Sequence, residues 1–247
     1  STATPDPEAL FAARESLRTA LAAQLKDRLL AAAARPLPDQ NAVDAQAAGR
    51  RSLLAAVLDI LGAEGPDGAA VIEAAFTRAK TMTESMAALE ALAGSAAGSE
   101  AFERLCAQFF ERWRAQPLII DKWFSVQAAS PHKGHAYALA LRDHPDFTLR
   151  NPNRVRALIS AYAVRNMRAF HAADGAGYRF VGEAIAAVDK TNPMLASRLA
   201  GSFESWRRFD TGRQAHAKVV LEGLAAQPSV SKNLAEVLQR TLGGAGA

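Results

Sequence analysis

Three times in this chain an aspartate or asparagine stands directly before a proline: Asp6-Pro7, Asn151-Pro152 and Asn192-Pro193. Proline pushes the residue before it into extended geometry, which is the geometry of a helix cap. Proline itself has no N–H to lose at the first helical position. Apolar residues follow at helical spacing. Val155, Leu158, Ile159 and Tyr162 give i, i+3, i+4, i+7, and Leu195, Leu199, Phe203 and Trp206 lie behind Asn192. Such segments hide their apolar stripes only by packing helix on helix.

The remaining punctuation agrees. A helix opens at Asp6-Pro7-Glu8 and runs to about Ala34, where Arg35-Pro36-Leu37-Pro38 stops it. Asp39 is expected to begin a second helix, with Leu53, Leu54, Val57, Leu58 and Leu61 as its stripe. A turn over Gly62 to Asp67 precedes a short helix that Pro66 opens, carrying Val71, Ile72 and Phe76. Thr81-Met82-Thr83-Glu84 has capping-box spacing, and Ser99 reads as a cap after the small-residue loop Gly94 to Gly98. Phe102, Leu105, Phe109 and Trp113 then form a core spine. Pro117 starts an apolar segment through Ile120, Trp123, Phe124 and Val126, and Tyr137, Leu139 and Leu141 lie on a helix that ends at His144-Pro145. Asp174-Gly175-Ala176-Gly177 turns into a helix carrying Phe180, Val181, Ile185 and Val188. Asp210 begins one through Val219, Val220 and Leu224, Pro228 breaks it, and Ser231 to Leu242 is the last, before a frayed tail from Gly243 to Ala247. The fold class is all-α, with about twelve helices and no strand. Short connections make neighbours antiparallel, so the expectation is an irregular superhelical stack, a HEAT/ARM-like α-solenoid without a fixed-period motif.

A chain of 247 residues can bury a core without a disulfide or a metal. The formal charge of +4 comes mostly from arginines mixed with acids along helices, which reads as solvated helix faces rather than a nucleic-acid footprint. Cys106 is the only cysteine and falls on an apolar helix face, as a small buried hydrophobe suited to a reducing, cytoplasmic compartment. No stretch approaches the roughly 20 apolar residues that span a bilayer. The start, Ser1-Thr2-Ala3-Thr4-Pro5, has no basic leader and no initiating methionine, and reads as a cut through a longer protein.

Catalytic signatures are missing. None of His132, His135, His144, His171 and His216 has a histidine four residues away, as a zinc peptidase helix requires. His132 and His135 sit beside Pro131 and Gly134 without a nearby acid, and Gly175-Ala176-Gly177 lacks the rest of a phosphate loop. The arginine groups, Arg154, Arg156, Arg165 and Arg168, then Arg207, Arg208 and Arg213, are expected to serve in salt bridges and as carbonyl caps. Met194 and Arg198 stand apart. At i and i+4 they share one flank of a helix whose buried stripe is Leu195, Leu199 and Trp206. A flexible thioether beside a planar cation suits a peptide channel, and a surface salt bridge is the plainer reading of the spacing.

Four segments carry a resemblance to a known family: Asp121-Lys122-Trp123-Phe124, Asn151-Pro152-Asn153-Arg154-Val155-Arg156, Phe170-His171-Ala172-Ala173-Asp174-Gly175-Ala176-Gly177-Tyr178, and Asn192-Pro193-Met194-Leu195-Ala196-Ser197-Arg198. The chain resembles the C-terminal helical domain of bacterial aminopeptidase N, a zinc metallopeptidase of the gluzincin type. The likeness is close at these motifs and looser to about Arg240. Before Pro117 it rests on helix order and the Asp6-Pro7-Glu8 opening.

The resemblance implies that residues 1–247 form a single C-terminal domain of a longer enzyme that removes N-terminal residues from peptides. It implies that the domain acts as a lid and lines the substrate channel. Its partners would be an upstream catalytic domain of the same polypeptide and peptide substrates, with neither nucleic acid nor membrane. Zinc would belong to the parent enzyme, with no cofactor, metal ligand or catalytic residue in this chain. The family's arginine in the Asn-Pro-x-x-Ala-Ser-Arg helix contributes to the far side of the substrate cleft and matches Arg198. The position four before it, a glutamine in the bacterial form, is Met194 here, so the wall is less polar. Arg198 and Met194 are therefore the candidate substrate-binding residues. The competing class is a stand-alone α-solenoid that binds a protein partner.

Overall fold

The computed structural model describes residues 4–243, and all the regular structure among them is helical. The chain divides into two compact units. The first is Phe11–His132; the second runs from Lys133 onward and includes the start of the first helix, up to Leu10.

The first unit holds most of α1 (Pro7–Ala33), then α2 (Ala45–Leu61), α3 (Gly65–Arg78), α4 (Met82–Ala93), α5 (Ser99–Trp113) and α6 (Pro117–Ala128). Its centre is α4. Met86-Ala87-Ala88-Leu89 and Ala91-Leu92-Ala93 are all buried, and Glu90 between the two runs is exposed. A helix with so narrow a polar edge must be covered on most sides, and α2, α3, α5 and α6 pack around this one. The Thr81 capping box forms: Thr81 Oγ1 accepts from Glu84 N at 3.3 Å, and Glu84 Oε2 accepts from Thr81 N at 3.1 Å. Glu84 is only 2 % exposed, and Arg51 from α2 donates to its other oxygen at 3.3 Å. Buried Arg18 of α1 donates to the carbonyls of Gly94 and Asp59, neutralising the negative end of α4. The spine Phe102, Leu105 and Phe109 is buried, with Trp113 at its edge.

The second helix does not begin at Asp39. That carboxylate accepts from Asn41 N within a turn, and Asp44 makes the cap instead, accepting from Ala47 N at 2.9 Å. Both residues suit an Asx turn or an N-cap, and only Asp44 is followed by a full turn of good helix formers, Ala45-Gln46-Ala47-Ala48. Leu53 lies off the stripe and is exposed. Ser99 is the first helical residue rather than the cap, which falls on Gly98.

The second unit contains α7 (His135–Arg142), α8 (Pro152–Val155), a π-helical turn over Arg156–Ser160, α9 (Ala161–Arg165) and α10 (Met167–Phe170). It continues through α11 (Ala176–Asp189), α12 (Pro193–Ala200), α13 (Thr211–Ala225) and α14 (Lys232–Gly243). Asn151 and Asn192 cap as their sequence predicts, accepting from Asn153 N at 2.9 Å and from Leu195 N at 3.0 Å. Asp210 caps α13 and Ser231 caps α14. Helix α11 is the central element: Phe180, Val181, Ile185 and Val188 are buried, and α12 and α13 pack on it, with α14 against both of those. The expected tail from Gly243 on lies outside the described residues except for Gly243 itself, the end of α14.

The entry to α11 needs two glycines for different reasons. Gly175 has φ 70°, the left-handed region, and a Cβ there would lie 2.6 Å from the His216 ring. Gly177 sits where a Cβ would overlap the carbonyl oxygens of Ala169 and Phe170, so α11 starts in direct backbone contact with α10. Gly177→Ala should lower the unfolding free energy by about 1–3 kcal/mol. Urea denaturation would check this, with a shifted midpoint and an unchanged slope.

Candidate functional site

Helix α12 is short. After Ala200 the chain tightens into a 3₁₀ turn over Gly201–Phe203, and a second such turn covers Trp206–Arg208. Phe203 and Trp206 are buried as the stripe predicts, but they are not on a continuous helix with Leu195. Arg198 consequently lies in the last turn of α12, not near its start. The helix dipole there favours a cation, so its placement needs no compensating carboxylate.

Among the described residues Arg198 makes no ion pair and no hydrogen bond, and its side chain is exposed. Arg208 is likewise exposed without a partner among the described residues, whereas most of the other arginines singled out in the sequence are tied down. Arg168 pairs with Glu8 at 2.9 Å, and Arg154 donates to the Asp146 carbonyl at 2.9 Å. Arg207 closes on the carbonyls of Thr241 and Leu242 at the end of α14. Arg213 holds the His171 carbonyl at 2.6 Å and Asp210 at 2.5 Å. These are the bridges and carbonyl caps expected of them.

Met194, Ser197 and Arg198 share one face of α12, at i, i+3 and i+4. They form one wall of an open groove of about 550 Å³. The opposite wall is α14, presenting Asn233, Glu236 and Arg240 at i, i+3 and i+7, and Glu204 closes one end. Ser197 turns inward and donates to the Pro193 carbonyl at 2.8 Å, while Met194 stands 59 % exposed. The structure thus brings both predicted residues to one groove. Its second wall comes from residues that sequence reading passed over, because nothing local in α14 marks them.

The other candidates form no site. His132 packs edge-on against Phe11 at 5.5 Å and His135 edge-on against Phe180 at 5.6 Å, and the two belong to different units. Among the described residues no group of three or more histidine, cysteine, aspartate or glutamate side chains could hold a metal ion. Cys106 is buried, and its carbonyl accepts from Trp123 Nε1 at 2.8 Å. His171 is a core histidine. It stacks on Phe209 at 4.0 Å, and its Nδ1 lies 2.8 Å from Tyr178 Oη. Burial, with the nearby Arg213 charge, lowers its pKa to about 4, and burial pushes Tyr178 up to about 12. Both are neutral near pH 7. No described helix is long and apolar enough to cross a membrane.

The chain is 38% identical over 241 residues to Aminopeptidase N of Caulobacter vibrioides, a match covering 96% of this chain and 28% of that protein. It is 34% identical over 239 residues to Aminopeptidase N of Escherichia coli, covering 96% of this chain and 27% of the relative. Among solved structures, aminopeptidase A of Legionella pneumophila in complex with aspartic acid superposes with a TM-score of 0.83 at 28% identity, over 97% of this chain and 29% of that one. The chain therefore spans little more than a quarter of the length of these relatives. A family model, described as a domain of unknown function (DUF3458_C) with ARM repeats, matches residues 1–243, and the chain belongs to that family.

Proposed function

We propose that this chain is the C-terminal lid and substrate-channel domain of a cytoplasmic zinc aminopeptidase, working over its whole length as one domain beside an upstream catalytic domain. The observation that carries this is similarity to Aminopeptidase N along nearly all of the chain, at more than 30% identity in each of three bacteria. That extent gives a stand-alone partner-binding solenoid no comparable support. Zinc, held upstream, would supply the Lewis acid and the activated water of a peptidase. This chain's task is to bind and orient the peptide beyond the scissile bond.

Arg198 is suited to it. An exposed guanidinium with no partner among the described residues keeps all five donors for a ligand, in a planar fork that fits a carboxylate or peptide carbonyls. Met194, one turn earlier, gives an adaptable apolar wall where a side-chain amide would have fixed a polar contact. In the full-length enzyme, Arg198→Ala should reduce kcat/KM for peptides of several residues by about tenfold, the scale of one charge-assisted contact. Single-residue chromogenic amides should change by less than about twofold, because they do not reach beyond the scissile bond. Equal losses on both substrate classes, or a fall in folding stability alone, would remove Arg198 from the channel.

A further inference from the structure

The groove between α12 and α14 holds four charged side chains, and they are not equivalent. Arg240 and Glu204 satisfy each other, with Nη2 to Oε1 at 3.1 Å. Arg198 and Glu236 do not pair, either with each other or with any other described residue, although both line this groove. A groove with one pair closed and two opposite charges left open on facing walls presents a fixed dipole to whatever enters. A ligand with a single charge would satisfy one wall and leave the other. A ligand that carries both signs a few bonds apart would satisfy both.

The uncharged residues point to the same class of ligand. Asn233 lies one turn before Glu236 on α14, and its amide has no partner among the described residues, so it can both donate to and accept from a peptide backbone. Met194 offers an exposed thioether against which the methylene stem of a lysine or arginine can lie. The volume of about 550 Å³ falls within the range of small-ligand sites and admits a short peptide segment. We propose that the groove between α12 and α14 is a dipolar peptide subsite, in which Arg198 takes a free C-terminal carboxylate and Glu236 takes the cationic side chain of a neighbouring lysine or arginine. The assignment of Glu236 rests on the reading of Arg198 as a peptide contact, and it adds a preference for basic downstream residues that Arg198 alone cannot confer.

The test uses the chain itself and three tetrapeptides: Ala-Ala-Lys-Ala with a free carboxylate, the same peptide with norleucine in place of lysine, and the lysine peptide as its C-terminal amide. Binding is read from amide shifts of α12 and α14 in a nuclear magnetic resonance titration at millimolar peptide. The lysine peptide should bind about three- to tenfold more tightly than the norleucine peptide, the scale of a contact between exposed charges. Glu236→Gln should abolish that ratio, with no added loss when both changes are combined. Arg198→Ala should in the same way abolish the difference between acid and amide. Both substitutions are at exposed positions, so the fold is retained. If Glu236→Gln leaves the lysine preference intact while Arg198→Ala still removes the carboxylate preference, the dipolar subsite is wrong and the Arg198 contact stands. If neither preference exists, or α12 and α14 do not respond to any of the peptides, the Arg198 reading falls with it.

Discussion

Arg51→Ala is expected to lower the unfolding free energy by about 3–5 kcal/mol, the cost of stranding one member of a buried ion pair. The partner is Glu84, whose side chain is 1 % exposed against 12 % for Arg51. Glu84 Oε2 would keep its two backbone donors, Lys80 N at 2.9 Å and Thr81 N at 3.1 Å, but Oε1 would lose its Arg51 donor. The same substitution frees the carbonyls of Ala42 and Asp39, which Arg51 holds at 2.8 Å and 2.9 Å, and so loosens the segment that leads into α2. Urea unfolding of the single variant gives the loss. The double variant Arg51→Met, Glu84→Gln should recover at least half of it, because glutamine keeps the capping box while the uncompensated charge is gone. A double variant as unstable as Arg51→Ala alone would show that the carbonyl contacts, not the charge, matter most.

Stability should also fall on acidification by about 3 kcal/mol through His171 alone. An imidazole in the unfolded chain takes its proton near pH 6.5, and the folded one near 4, chiefly because it is buried and secondarily because Arg213 is close. Between those values only the unfolded state binds the proton. The stabilisation is therefore complete above pH 6.5 and is lost as pH falls toward 4, where the dependence levels off. Asp210 acts in a separate, lower window. Its hydrogen bonds with Arg213 depress its pKa below 3.8, so its contribution persists down to that value and is lost only below it. Chemical denaturation from about pH 7 to about pH 4 should show the slope, and His171→Phe should flatten it. Phenylalanine keeps the stack on Phe209 and deprives Tyr178 of its partner, which lowers stability by an amount independent of pH. An equal slope in both proteins would move the effect to other groups.

Caps were legible in the sequence because they are local. Asn151, Thr81, Asn192 and Asp210 each need only the backbone N–H groups two or three residues on. Asp39 failed for the same local reason, since a turn and a cap compete for one short carboxylate. The capping box located α4 and apolar periodicity located α11, but periodicity overreached elsewhere. Leu118 and Val219 follow the pattern and stand about 70 % exposed. The break in α12 after Ala200 also escaped, because Phe203 and Trp206 keep helical spacing while the backbone between them does not. At the groove, the i, i+4 relation of Met194 and Arg198 was visible. Glu236 was not, since its relation to them exists only once α14 folds back against α12. The division into two units shows at one boundary only: Pro131 and Gly134 flank the break after His132, while α1 passes from one unit to the other at Leu10 and Phe11 without a proline or glycine there.

The wide turn at Arg156–Ser160 lets this helix hold one residue more than a regular ladder would. Each residue of an α-helix advances it by about 100°, and a π turn accommodates a residue too many without carrying that rotation forward. Val155 before the turn and Tyr162 after it both face the core, and Tyr162 Oη reaches the Ala169 carbonyl at 3.0 Å. By the same geometry a chain one residue shorter within 156–160 would gain a regular hydrogen-bond ladder and leave Tyr162 on the same face. The turn is thus a place where the length of the chain can differ by one residue without re-aiming the side chains that follow it.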